Sequence, residues 1–97
     1  MVAGSGKRLN AIVIGRVQAV GFRMFVQEQA ERLELVGYVR NDRNDRRRLE
    51  VVAEGSQTDL EELLHQLYSG PGGARVEDVQ VSWEQAQASF NSFEVTT

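Results

Sequence analysis

Apolar and polar positions along the chain switch between two periods. In the run RLNAIVI, from Arg8 to Ile14, Leu9, Ala11 and Val13 alternate with Arg8, Asn10 and Ile12, the period of two expected of a half-buried strand. From Phe22 the spacing lengthens. Phe22, Phe25, Val26, Ala30 and Leu33 recur at helical intervals with Glu28, Glu31 and Arg32 between them, which predicts an amphipathic helix ending near Leu35 and Gly37. Val36–Asn41 (VGYVRN) and Leu49–Glu54 (LEVVAE) predict two strands joined by the polar segment DRNDRRR. Ser56 and Thr58 each precede an acid by three residues, Asp59 and Glu61, and offer two N-caps. Leu60, Leu63, Leu64, Leu67 and Tyr68 then form a second apolar stripe, closed by Gly70-Pro71-Gly72-Gly73. Val79, Val81 and Trp83 alternate in a fourth strand, and Phe93 and Val95 predict a short last one.

The order β-α-β-β-α-β predicts an α+β, ferredoxin-like sandwich: an antiparallel sheet of four to five strands with two helices on one face. No repeat or linker interrupts it, so the 97 residues are expected to form one domain, with 1–6 (MVAGSG) a flexible start outside the fold. The first helix carries the chain back, so strands one and two run the same way with strand three between them. Their carboxyl ends, the segment after Ile14 and Asn41, should therefore meet at one edge of the sheet.

Composition narrows the chemistry. A net charge of −3 gives no global basic field, so any anion binding must be local. There is no cysteine, and His65 is the single histidine, which excludes disulfides, thiol catalysis and histidine metal clusters. No apolar run is long enough to span a membrane, and the N-terminus has no hydrophobic signal core, so a cytoplasmic protein is expected. His65 lies among the leucines of the second helix and reads as structural. Phe22, Phe25 and Trp83 read as packing residues, and Glu28, Glu31 and Glu34 as a solvated helix face. The run Arg46-Arg47-Arg48 is interleaved upstream with Asp42, Asn44 and Asp45 and lacks the aromatic series of a nucleic-acid surface. It reads as a solvated hairpin, with a role in steering an anionic substrate left open.

The stretch Gly15–Arg23, GRVQAVGFR, carries two glycines, two arginines and no acid. A helix N-terminus leaves backbone N–H groups without partners and is partly positive. A glycine-bearing turn feeding it can aim successive amides at one anion, and an arginine in the first turn can add a bidentate contact. On spacing alone, a solvated basic turn and an anion cradle both remain open. The lysine–serine/threonine pair of a Walker loop is missing.

GRVQAVGFR resembles the phosphate-binding signature of the acylphosphatases, which hydrolyse carboxyl–phosphate anhydrides. Gly37-Tyr38-Val39-Arg40-Asn41 resembles that family's second signature, and the similarity runs from about Arg8 to Val95. It implies that Arg23 binds phosphate, that Asn41 orients the attacking water, and that the backbone amides of Val17, Gln18, Ala19, Val20, Gly21 and Phe22 cradle the phosphoryl oxygens. It also implies a small acyl phosphate as substrate, inorganic phosphate as product, and no cofactor or metal. A monomer acting on neither nucleic acid nor membrane is expected.

The chain departs from the pattern in three places. Ala19 stands where a glycine is common, the hairpin after Asn41 is longer and glycine-free, and Gly72-Gly73 replaces a proline-rich turn. The alternative function is a ferredoxin-like module that binds phosphate without turning it over. A third, an RNA-binding sheet, would need exposed aromatics on the middle strands, and Leu49–Glu54 has none.

Overall fold

The computed structural model describes residues 6–18 and 21–97. The elements are β1 (Lys7–Arg16), α1 (Phe22–Arg32), β2 (Val36–Asn41), β3 (Arg48–Gly55), α2 (Gln57–Ser69), β4 (Arg75–Gln85) and β5 (Phe93–Thr96), in the sheet order β4-β1-β3-β2-β5. The expected ferredoxin-like order is present, and β3 lies between β1 and β2.

Alternation places the core on one face. Leu9, Ala11 and Val13 of β1, Gly37 and Val39 of β2, and Leu49, Val51 and Ala53 of β3 are all buried. The buried stripes of α1 (Phe22, Val26, Ala30) and α2 (Leu60, Leu63, Leu67) complete a single core cluster with them. Burying each valine, leucine or phenylalanine among them contributes about 1.5–3 kcal/mol. Ser56, rather than Thr58, caps α2 by accepting from the Asp59 N–H at 3.2 Å. Two expected packing residues reach solvent instead. Tyr68 lies beyond the α2 stripe at 54% exposure, and Trp83 is 39% exposed on the edge strand β4.

α1 stops at Arg32, earlier than its pattern suggests, by a paired closure. The Leu35 N–H donates to the Ala30 carbonyl and the Glu34 N–H to that of Glu31, with Glu34 left-handed at φ 59°. This is the Schellman arrangement with a glutamate where glycine is usual, so the stop carries no sequence signal.

The four antiparallel-ordered strands are as expected, but the fifth makes the sheet mixed: β5 pairs parallel to β2. β4 runs opposite to β1, and hence opposite to β2. A chain that crosses the sheet from β4 and turns back therefore lies parallel to β2. The crossing segment is pinned on the open face by Glu54, whose carboxylate accepts from the Gln87 and Ala88 N–H groups and pairs with Arg8 at 2.8 Å. Burial pushes the Glu54 carboxyl up, yet those three donors outweigh it and hold its pKa below the ordinary carboxylate value. Phe90 packs edge-on against Tyr38 and beneath the Arg8 guanidinium.

Gly37 marks a backbone contact that admits no side chain. Its φ is 144°, and a Cβ there would lie 1.9 Å from the Val52 carbonyl oxygen on the neighbouring strand. Gly37→Ala is expected to destabilise the protein by about 3 kcal/mol, from combined backbone strain and overpacking, read as a shift in the urea midpoint.

Candidate active site

The site forms where three core-facing rows run out. In β1 the row Leu9-Ala11-Val13 reaches a bulge at Ile14/Gly15 and ends at the fully buried Val17. In β2 the same parity carries Gly37 and Val39 on to Asn41, so a polar side chain occupies the last position of an apolar row. Leu49 of β3 sits between them, paired with Val13 on one side and with Asn41 on the other. Above these row ends α1 begins at Gly21, left-handed at φ 74°, with no side chain capping the helix and no acid in its first turn. The amides of that turn and the positive end of the helix are thus not neutralised by a capping side chain.

These elements enclose a recess of about 80 Å³ lined by Val17, Gly21, Phe22, Arg23, Met24 and Asn41. Five of the eight residues expected at the site, Val17, Gly21, Phe22, Arg23 and Asn41, therefore line one space. Ala19 and Val20 lie outside the described residues. Arg23 has no ion-pair partner among the described residues. Asn41 Oδ1 is buried without a hydrogen-bond partner among them, an arrangement that costs about 1–3 kcal/mol.

Gln18 enters the site by a route that its place in the loop does not reveal. Its side-chain Nε2 donates to the carbonyls of Arg48 at 2.8 Å, Asp45 at 3.0 Å and Asp42 at 3.3 Å. Two hydrogens serve three acceptors, so one is shared. The loop after β1 is thereby tied to the turn that immediately follows Asn41. That turn needs no glycine: Asp42 Oδ1 accepts from the Asn44 and Asp45 N–H groups, and Asp45 Oδ1 from that of Arg47. None of its residues has positive φ. The aspartates supply the turn chemistry, and Gly15 N–H adds a 2.8 Å bond to the Arg47 carbonyl. Gln18→Ala is expected to cost about 1–2 kcal/mol and to speed amide hydrogen exchange across residues 42–48.

A larger recess, of about 540 Å³, lies at the opposite end of the sheet around Leu35, Glu54 and Phe90. Its buried carboxylate, Glu54, is already occupied by Arg8 and the two amides. A third recess, also of about 540 Å³ and more open, borders the candidate site and is lined by Gly15, Arg16, Val17, Gln18, Arg46 and Arg47. No group of three or more His, Cys, Asp or Glu residues that could hold a metal is found among the described residues. No helix among them is long and apolar enough to cross a membrane.

Comparison with known proteins agrees across sequence and structure. The acylphosphatase family profile matches residues 9–95. An acylphosphatase of Salinibacter ruber is 45% identical over 95 residues, 98% of each chain. One from Dehalococcoides mccartyi is 49% identical over 87 residues, covering 90% of this chain and 94% of its own. The crystal structure of acylphosphatase from Bacillus subtilis superposes with a TM-score of 0.88 at 32% identity, covering 94% of this chain and 99% of that one. With the profile spanning residues 9–95 and these relatives matching over nine-tenths or more of both chains, the protein belongs to the acylphosphatase family.

Proposed function

We propose that this chain hydrolyses the carboxyl–phosphate anhydride of small acyl phosphates, with Arg23 and the loop amides binding the phosphoryl group and Asn41 orienting water. The observation that carries the reading is the buried Asn41 Oδ1, without a hydrogen-bond partner among the described residues, in a recess that Arg23 and the start of α1 also line. An acyl phosphate has a carboxylate leaving group, so little acid catalysis is needed at the departing oxygen. The protein must hold the phosphoryl group, balance charge on its oxygens and align water. Arg23 and the amides of Val17 to Phe22 meet the first two needs.

Asn41 meets the third. Its carbonyl accepts a hydrogen from water, placing a water lone pair toward phosphorus, and a neutral amide does this without titrating. As the water oxygen bonds to phosphorus, the bond from phosphorus to the acyl oxygen breaks and its electrons leave with the carboxylate. The water proton passes to a phosphoryl oxygen. Neither signature contains an acid, a histidine or an aliphatic hydroxyl, and the Tyr38 hydroxyl sits on the opposite face of the sheet, donating to Glu50 at 3.3 Å, which supports a route without a protein base.

The reading is of a metal-independent, cytoplasmic, monomeric enzyme acting on a small molecule. The open face of β3 carries Glu50 and Glu54, a poor match for an RNA backbone. Phosphate release from benzoyl phosphate tests the function. Hydrolysis is expected with a broad pH profile across neutrality and undiminished rate in chelator. Phosphate binding without hydrolysis would favour the non-catalytic module, and a narrow optimum near an imidazole pKa would count against a neutral amide as the water-orienting group.

A further inference from the structure

The recess of Gly15, Arg16, Val17, Gln18, Arg46 and Arg47 has a composition that phosphoryl transfer alone does not require. It shares Val17 with the recess of Arg23 and Asn41, so the two are neighbours across one side chain. Three of its six lining residues are arginines and none is acidic. Arg47 is held by Glu77, whereas Arg16 and Arg46 have no ion-pair partner among the described residues. Arg16 also stands directly across the β1–β4 ladder from Arg75. Like charges facing each other on adjacent strands are unfavourable, and an anion bound beside them relieves that repulsion.

We propose that this recess is a second anion subsite and that the chain favours acyl phosphates whose acyl group itself carries a negative charge. The proposal rests on the phosphate cradle and on the in-line geometry set out above. Attack in line puts the leaving acyl group on the far side of phosphorus from the water. Asn41 lines the small recess and is absent from the one that holds Arg16, Arg46 and Arg47, as a place for the leaving acyl group, away from the water, requires. A carboxylate or phosphate on the acyl group would there meet guanidinium groups that match its geometry. The arginine run in the glycine-free hairpin thus becomes part of substrate selection.

Calorimetric binding of two non-hydrolysable probes tests this, phenylphosphonate and 4-carboxyphenylphosphonate at low ionic strength. The wild-type chain is expected to bind the carboxylated probe about fivefold more tightly, as for a partly exposed ion pair, with the preference shrinking as salt is added. Arg46→Glu should bring the ratio of the two affinities to one or below. Arg43→Glu, on the same turn but outside this recess, should retain it. Equal affinities in the wild type, a ratio unchanged by Arg46→Glu, or the same loss from Arg43→Glu would each overturn the subsite while leaving the cradle intact. Failure of both probes to bind would remove the cradle itself, and the subsite with it.

Discussion

Arg23→Gln is expected to cut turnover to a small remainder and to weaken competitive inhibition by inorganic phosphate. Arg23 is half-buried in the first turn of α1, at the edge of the recess and without an ion-pair partner among the described residues. Its charge therefore serves no ion pair among the described residues. A guanidinium binds phosphate through two charge-assisted hydrogen bonds, and its contribution grows as charge spreads over the equatorial oxygens in the transition state. Loss of such a cation lowers phosphoryl-transfer rates by about a thousandfold or more. Glutamine retains some hydrogen bonding but neither the charge nor the fork. Phosphate inhibition should weaken by at least about tenfold, while the thermal midpoint should hardly move. Steady-state kinetics with benzoyl phosphate and inorganic phosphate as inhibitor reads both effects. Retained phosphate inhibition would show that the amides alone bind the anion.

The second large effect separates catalysis from binding. Asn41→Ala should lower kcat by about a hundredfold or more, the scale of losing one positioning contact, with little change in the phosphate inhibition constant. Stability should move the other way. The wild-type side chain buries an acceptor without a partner among the described residues, and removing it lifts a penalty of about 1–3 kcal/mol, offset in part by the small cavity left behind. The variant is therefore expected to be at least as stable as wild type in urea. Equal losses in turnover and phosphate affinity would defeat the assignment of Asn41 to water. A marked loss of stability would instead make Asn41 a structural residue.

Much of this site is legible in the sequence because its two halves depend on strand parity and topology. The alternation of Leu9, Ala11 and Val13 predicts which face of β1 is buried, and the same rule applied to Gly37 and Val39 carries Asn41 to that face. The crossover of α1 then brings Asn41 to the edge where Gly21 and Arg23 begin the helix. What sequence leaves hidden is the tertiary use of polar side chains. Nothing local to Gln18 distinguishes a loop amide from a clamp on three carbonyls some 24 to 30 positions away. Glu34 closes α1 in a left-handed conformation that its residue type disfavours. The parallel β5 follows a crossing segment that Glu54 holds at residues 87 and 88, a contact spanning more than 30 positions. The glycine-free hairpin looks irregular from sequence because its aspartates replace backbone freedom with side-chain acceptors.

The ladder between β2 and β3 sets Asn41 opposite Leu49 and Arg40 opposite Glu50. A slip of one residue along that ladder would turn every side chain of β2 to the opposite face. Arg40 or Asp42, according to the direction of the slip, would then stand opposite Leu49, replacing a neutral amide with a charge. On the role proposed for Asn41, such a chain would keep most of its strand and helix content and still be inert. Hydrolysis per molecule therefore counts only correctly registered sheets, and during refolding it should appear after the circular dichroism signal has recovered.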